Sequence, residues 1–126
     1  RFVDSTTVVT AIERDTADPN QDPLRKNLQR LKQATDENGK KLNIATIPMP
    51  DRVEGSGGRL PASYLNFYIA NGVVLVPVFG QAKDGVALGI LRELFPKRRI
   101  VGIRSEDLVG GLGGIHCVTH EEPARS

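Results

Sequence analysis

Cys117 is the only cysteine of the chain and the residue with the clearest chemical potential. A thiolate is a strong nucleophile, but an unpaired cysteine is more often a small buried apolar side chain. Two features favour chemistry here: four of the five residues in 110–114 are glycine, and Cys117 follows shortly after that run. Glycine lets backbone N–H groups approach a ligand closely, and site residues concentrate near loops. The run is therefore either a flexible connector or a backbone shelf beside the thiol.

A nucleophilic cysteine needs a base or a positive neighbour within hydrogen-bonding reach, about 2.6–3.2 Å. Residues 115–119 are predicted to form a strand, in which successive side chains point to opposite faces. His116 then points away from Cys117, and so does His120 unless the strand ends first. No partner for the thiol is evident in the chain. Neither histidine has metal-ligand spacing with a third ligand, so no metal site is expected.

Asn66 is the second candidate, because it lies between two tyrosines in a predicted strand over residues 63–70. Tyr64, Asn66 and Tyr68 would share one face of that strand. Asn66 could orient a polar substrate, or this face could be ordinary polar surface. The glycine run matches neither the phosphate-binding loop nor the dinucleotide-binding spacing, so it does not indicate a nucleotide site.

The elements that must position these residues alternate between strands and helices. Leucines at i, i+4 and i+7 from Leu24 predict an amphipathic helix that begins near Pro23 and ends at Asn38-Gly39. A second helix is predicted after Asp84, which can cap it, and before Pro96. Residues 51–62 are predicted to be an exposed loop. Strands are predicted over 6–12, 42–47, 63–70, 73–79, 99–103 and 115–119, with a hairpin turn at Asn71-Gly72.

This element order gives an α/β fold, treated as a single domain over residues 1–126. Strand, helix and strand are followed by hairpin, helix and strand, which suggests a repeated β-β-α-β module whose first copy has lost its leading strand.

Composition excludes several other classes. A formal charge of +2 on 126 residues is too balanced to indicate nucleic-acid binding. The longest apolar run, 73–79, is too short to cross a bilayer, so no membrane association is expected. One cysteine excludes an intrachain disulfide and favours a reduced, cytoplasmic setting.

The motifs that surround Asn66 and Cys117 resemble those of agmatine deiminases, in the bacterial-type peptidyl-arginine deiminase family. They are Arg1-Phe2-Val3-Asp4, Pro61-Ala62-Ser63-Tyr64-Leu65-Asn66-Phe67-Tyr68-Ile69-Ala70-Asn71-Gly72, Val76-Pro77-Val78-Phe79-Gly80, Leu94-Phe95-Pro96 and Gly113-Gly114-Ile115-His116-Cys117-Val118-Thr119.

The resemblance implies a five-fold pseudosymmetric α/β propeller of β-β-α-β modules, of which this chain is the C-terminal part. It implies hydrolysis of agmatine to N-carbamoylputrescine and ammonia, a step of putrescine and polyamine biosynthesis, without a cofactor. Cys117 would be the nucleophile, and Asn66, Gly113 and Gly114 would lie at the substrate. The family's acid/base His and its guanidinium-binding carboxylates would lie upstream of Arg1, so missing N-terminal modules or a homo-oligomer are expected partners.

Three departures from the family pattern lie beside Cys117. Gly114 stands where Asn is usual, Leu112 where Gly is usual, and His120-Glu121-Glu122 where glutamines are usual. We expect them to alter the positioning of the thiol. The alternatives are a deiminase for arginine or peptidyl-arginine, a non-catalytic remnant that acts in assembly or binding, and a small α/β domain with an inert buried cysteine. An open piece of a propeller would also expose apolar faces, which predicts self-association.

Overall fold

The first structural unit is a β-α-β crossover in which two parallel strands flank a helix. In the computed structural model, which describes residues 1–122, strand β1 (Thr7–Ile12) is followed by helix α1 (Gln21–Gln33) and strand β2 (Asn43–Pro48). The two strands pair in parallel from Thr7–Asn43 to Ile12–Pro48. Residues 123–126, the end of the predicted single domain 1–126, lie outside the described residues.

Part of the leading strand of this unit lies within the chain. Phe2 forms an antiparallel bridge with Val8. The backbone nitrogen of Arg1 donates to the Val9 carbonyl, and the Val9 N–H donates to the Arg1 carbonyl, both at 2.8 Å. Arg1 to Val3 therefore form the stub of the leading strand. The prediction of a repeated β-β-α-β order is confirmed, with this correction to its first copy.

Helix α1 lies on β1 through its leucine stripe and one polar contact. Its leucines are half-buried, and the Asn27 side chain donates a hydrogen bond to Thr10 Oγ1 at 3.0 Å. The helix ends at Gln33, so the predicted end at Asn38-Gly39 is wrong. The Asp36 carboxylate instead accepts the N–H groups of Asn38 and Lys40, which favours a turn over a further helical turn.

The second unit is a complete β-β-α-β module. Strand β5 (Tyr68–Ile69) pairs antiparallel with β6 (Val73–Val78), and helix α2 (Ala82–Leu94) leads to β7 (Arg99–Arg104), which lies parallel to β6. Between the units, β3 (Glu54–Gly55) and β4 (Gly58–Arg59) form a small hairpin within the segment that was predicted to be a loop. The mixed α/β class is thus confirmed.

Two details of this module differ from the prediction. The turn at Asn71-Gly72 forms, but neither residue has a positive φ, so it is not the expected mirror-image turn type. The strand over residues 63–70 is wrong for most of its length. The Ser63 hydroxyl accepts the Leu65 N–H, and the Ser63 carbonyl accepts the Asn66 N–H, so this segment turns before β5 begins.

One hydrophobic core runs through both units. Phe67 and Phe95 meet edge to face, with their ring centroids 5.7 Å apart, and both are buried. Val9 and Ile47 of the first unit belong to the same buried cluster. Val86 does not, because it is exposed on α2 although it was predicted to lie in the apolar stripe.

Asp84 joins the start of α2 to the core. Its carboxylate accepts hydrogen bonds from the Gln81 N–H at 2.9 Å, from the Phe79 N–H at 3.1 Å and from the buried Tyr64 hydroxyl at 2.7 Å. Asp84 was predicted as the cap itself, but Gln81 occupies that position and Asp84 reaches back from the third residue of the helix. Burial and the Asp84 carboxylate raise the pKa of Tyr64.

Leu112 is the only non-glycine residue with a positive φ, 64°, among the described residues, and its side chain is exposed. A Cβ crowds the following carbonyl in this left-handed region, at a cost of about 1–2 kcal/mol. This conformation gives a physical reason for the glycine that the resemblance predicts at this position.

Within residues 1–122, no helix combines the length and hydropathy that crossing a membrane requires. In the same range, no three His, Cys, Asp or Glu side chains are grouped as a metal ion would need.

We expect Asp84→Ala to lower the free energy of unfolding by about 2–4 kcal/mol, because it leaves two backbone N–H groups and a buried hydroxyl without their acceptor. Tyr64→Phe, which removes only the hydroxyl, should cost about 1 kcal/mol. Urea denaturation followed by circular dichroism measures both. Equal losses for the two variants would contradict the assigned role of the carboxylate.

We expect Leu112→Gly to be about 1 kcal/mol more stable than Leu112→Ala in the same assay. Both variants remove the exposed side chain, but only glycine removes the Cβ from the left-handed region. An alanine variant as stable as the glycine variant would show that position 112 carries no such strain.

Candidate functional site

Cys117 lies in a single 3₁₀ turn rather than in the predicted strand. The turn covers His116–Val118, and its backbone bonds run from the Cys117 N–H to the Gly114 carbonyl and from the Val118 N–H to the Ile115 carbonyl, at 3.1 and 3.3 Å. Ile115 is buried and anchors the turn to the protein. Side chains in such a turn are spaced by about 120°, so the argument that His116 and Cys117 face opposite sides rested on the wrong element.

The glycines before this turn lie against the site residues. A Cβ at Gly113 would be 3.1 Å from Cys117 Cβ, and a Cβ at Gly114 would be 2.7 Å from Asn66 Cγ. Contacts under 3.0 Å require a shift of the neighbour. Glycine at 114, where the family pattern has Asn, therefore gives Asn66 the room to lie where it does.

Asn66 is the residue that contacts the thiol. Its Nδ2 donates to Cys117 Sγ at 3.2 Å, and its Oδ1 accepts the His116 N–H at 2.7 Å. The same N–H also approaches the Asn66 backbone carbonyl at 3.2 Å. Both ends of the amide are therefore used to hold the Cys117 turn, which the sequence did not reveal.

The tyrosines that were predicted to share a face with Asn66 have other roles. Tyr64 is buried and bonded to Asp84, whereas the Tyr68 hydroxyl donates to the His120 carbonyl at 3.4 Å. The predicted common polar face does not exist, because the segment turns at Ser63.

Cys117 is exposed, which contradicts the alternative of an inert buried cysteine. The hydrogen bond from the Asn66 side chain is the main cause that lowers the pKa of the Cys117 thiol, and the backbone of Gly114 contributes in the same direction. A lowered pKa increases the fraction of thiolate, which is the nucleophilic form. Among the described residues, no imidazole or carboxylate is hydrogen-bonded to the sulfur.

His116 lies between two open hollows at this site. One, of about 340 Å³, is lined by Arg1, Ser63, Leu65, Asn66 and His116. The other, of about 330 Å³, is lined by Tyr68, His116, Thr119, His120 and Glu121. Asn66, Gly113, Gly114 and Cys117, which the sequence singled out, thus lie together.

Solved structures match this fold closely. A crystal structure named "Putative Arginine Deiminase" from Porphyromonas gingivalis matches 98% of the chain at a TM-score of 0.94 and 38% identity, and the match covers 36% of that structure. Agmatine deiminase of Enterococcus faecalis matches 99% of the chain at a TM-score of 0.92 and 30% identity, over 39% of its own length.

Sequence relatives give the same assignment. A Legionella pneumophila (strain Paris) protein named "Putative agmatine deiminase" is 35% identical over 123 residues. These are 97% of this chain, which spans about 36% of the length of that relative. The model of the Porphyromonas-type peptidyl-arginine deiminase family matches residues 1–123. With this match over nearly the whole chain, the protein belongs to that family.

Proposed function

We propose that this chain is the C-terminal, nucleophile-bearing part of a hydrolase that converts agmatine into N-carbamoylputrescine and ammonia. The observation that carries the proposal is the hydrogen bond from Asn66 Nδ2 to the exposed Cys117 Sγ, 51 residues away. An amide that is fixed at its other end by the His116 N–H is an oriented donor for a thiolate. Proteins named agmatine deiminase share this fold.

The reaction follows from the chemistry of a thiolate and an amidinium carbon. Cys117 Sγ forms a bond to the guanidinium carbon, and the C–N bond to one terminal nitrogen breaks, which releases ammonia after protonation. A water molecule then adds to the carbon of the resulting amidino-thioester, and the C–S bond breaks. The products are the carbamoyl compound and the regenerated thiol, and no electrons are exchanged with a cofactor.

The remaining catalytic groups are proposed to come from outside these residues. Proton transfer to the departing ammonia requires an acid, and the planar cation requires carboxylates, which form short charge-assisted bonds to it. We propose that both lie upstream of Arg1, as the resemblance to agmatine deiminases implies. Missing N-terminal modules, on the same polypeptide or in a partner such as a second copy, would supply them in a cytoplasmic enzyme.

Two observations support a propeller of five modules. The chain contains two β-β-α-β units, and part of the leading strand of the first unit lies within it. The two units pack together around a common hydrophobic core. Two modules of five would be about two fifths of a complete propeller. The chain covers 36–39% of the two solved structures compared above.

A second candidate substrate is arginine, free or at a peptide position. The family is described as peptidyl-arginine deiminase, and the Porphyromonas gingivalis protein is named for arginine. Agmatine lacks the α-carboxylate of free arginine, and in a peptide that carboxylate is replaced by an amide unless the arginine is C-terminal. Turnover of the three compounds by the assembled enzyme, measured as released ammonia, separates the candidates.

In the enzyme assembled from this chain and the remaining modules, we expect Cys117→Ala to reduce the turnover of agmatine by at least about a thousandfold. The variant should fold normally, because the side chain is exposed and contributes little to packing. Glu93→Ala, an exposed substitution on α2, is the control that should retain activity. Undiminished turnover by Cys117→Ala would refute the proposed role of the sulfur.

A cationic haloacetamidine should alkylate Cys117 of the same assembly faster than neutral iodoacetamide does. The site would bind the amidinium group as it binds the guanidinium of the substrate. A non-catalytic remnant predicts the same ratio of the two rates as a free thiol in solution shows.

We expect Asn66→Ala to move the pH profile of Cys117 alkylation to higher pH. The Asn66 amide stabilises the thiolate and lowers the pKa of Cys117, so its loss raises that pKa and less thiolate is present at neutral pH. Asn66→Asp should raise it further, because a carboxylate repels the thiolate. Gly114→Ala, whose Cβ would displace the amide, should shift the profile in the same direction. Unchanged profiles in all three variants would contradict the role of Asn66.

A further inference from the structure

Arg1 contacts the backbone on both sides of Asn66. Its Nη1 donates to the Phe67 carbonyl at 2.5 Å and approaches the Leu65 carbonyl at 3.4 Å. The guanidinium carbon lies 4.7 Å from the centre of the Phe67 ring, so the cation also stacks on that side chain. One side chain thus fixes the carbonyl groups that precede and follow Asn66.

The backbone of Arg1 is itself held by the first module. Arg1 and Val9 exchange two hydrogen bonds of 2.8 Å, and Val9 is a fully buried residue of β1. The backbone of Arg1 is therefore bound to strand β1, and its side chain extends to the second module. No other side chain in residues 1–122 donates to the Leu65 or Phe67 carbonyl.

The position of the Asn66 backbone matters because both polar atoms of its side-chain amide are hydrogen-bonded. Nδ2 is directed at Cys117 Sγ and Oδ1 at the His116 N–H, so a small rotation of the 65–67 backbone weakens both bonds. The Ser63 carbonyl accepts the Asn66 N–H and the Asn66 carbonyl accepts the His116 N–H, both at 3.2 Å. Arg1 adds a restraint at the carbonyls of the two flanking residues, Leu65 and Phe67.

We propose that Arg1 is a positioning residue for the thiol, and that it acts by locking the backbone of Asn66 in the orientation that directs the amide to Cys117 Sγ. This inference deepens the proposed function and rests on it. A guanidinium is suited to the task because it is planar, can donate to two carbonyls from one side and stacks on an aromatic ring. A lysine ammonium offers no planar fork.

The chain provides a matched control in Arg98. Its Nε donates to the Ala70 carbonyl at 3.1 Å, and its guanidinium carbon lies 5.9 Å from the centre of the Phe95 ring. Phe95 packs edge to face on Phe67, so the two arginines make the same kind of contact on the same aromatic pair. Only Arg1 bonds to the carbonyls that flank Asn66.

The test is the rate at which iodoacetamide alkylates Cys117 as a function of pH, in Arg1→Gln, Arg1→Lys and Arg98→Gln. The sulfur is the only thiol of the chain, so the signal has one source. A tenfold change in thiolate corresponds to one pKa unit, and we expect the Arg1→Gln rate at pH 7 to fall by about three- to tenfold. The alkylation rate of Arg1→Lys should fall less. Arg98→Gln should keep the alkylation rate of the parent protein, although we expect it to lose about as much stability as Arg1→Gln.

A double variant separates action through Asn66 from a direct effect of charge. If Arg1 works through the amide, adding Arg1→Gln to Asn66→Ala should cause no further shift. An additive shift, or an unshifted profile in both Arg1 variants, would overturn the proposal. Arg1→Lys retains the positive charge that interacts electrostatically with Glu121. If Arg1→Gln fails to fold, the alkylation profile of Arg1→Lys tests the proposal instead.

The outcomes also separate this inference from the proposed function. A pH profile that shifts in Asn66→Ala but not in Arg1→Gln would contradict the positioning role of Arg1 but not the nucleophilic role of Cys117. If the assembled enzyme hydrolyses no guanidinium substrate, the proposed function is contradicted. The alkylation result for the Arg1 variants would still stand. In an active assembly, Arg1→Gln should lower kcat with little change in KM.

Discussion

The site depends on one amide that joins two distant parts of the chain. Asn66 donates to the Cys117 sulfur and accepts the backbone N–H of His116, so it fixes both the thiol and the turn that carries it. The thiol is exposed, and water would solvate a thiolate there without orienting it. The amide supplies a donor in a fixed direction, which lowers the pKa of the thiol.

The two modules hold that amide in place through a shared core. Phe67 directly follows Asn66, is buried, and packs on Phe95 at the end of α2. Val9 of β1 lies in the same cluster and fixes Arg1, whose guanidinium bonds to the carbonyls around Asn66. Close packing of this kind transmits small displacements, so the position of the amide depends on residues from both modules. The site therefore arises between modules rather than within one.

Gly114 and Leu112, in the loop before Cys117, have opposite effects on the structure. Gly114 leaves the space that Asn66 occupies, since a Cβ there would lie 2.7 Å from the amide carbon. Leu112 adopts a φ of 64° although its side chain has a Cβ, and this strain lies beside the reactive turn. The two departures from the family pattern thus have different consequences: one shapes the contact to the thiol, and the other costs stability.

The sequence by itself determined the mixed α/β class, the repeated module order and the residues that meet at the site, because hydrophobic periodicity, the Asn71-Gly72 turn and the motifs around Asn66 and Cys117 are local signals. It did not determine their geometry. Residues 115–119 have the β-branched character of a strand, yet they form a 3₁₀ turn because Asn66 accepts the His116 N–H from a segment 50 residues away. The segment over 63–70 turns at Ser63 for the same reason: its side chains alternate like a strand, but Tyr64 must reach Asp84 and Phe67 must reach Phe95. Only tertiary packing brings such partners together, and local propensity yields to it.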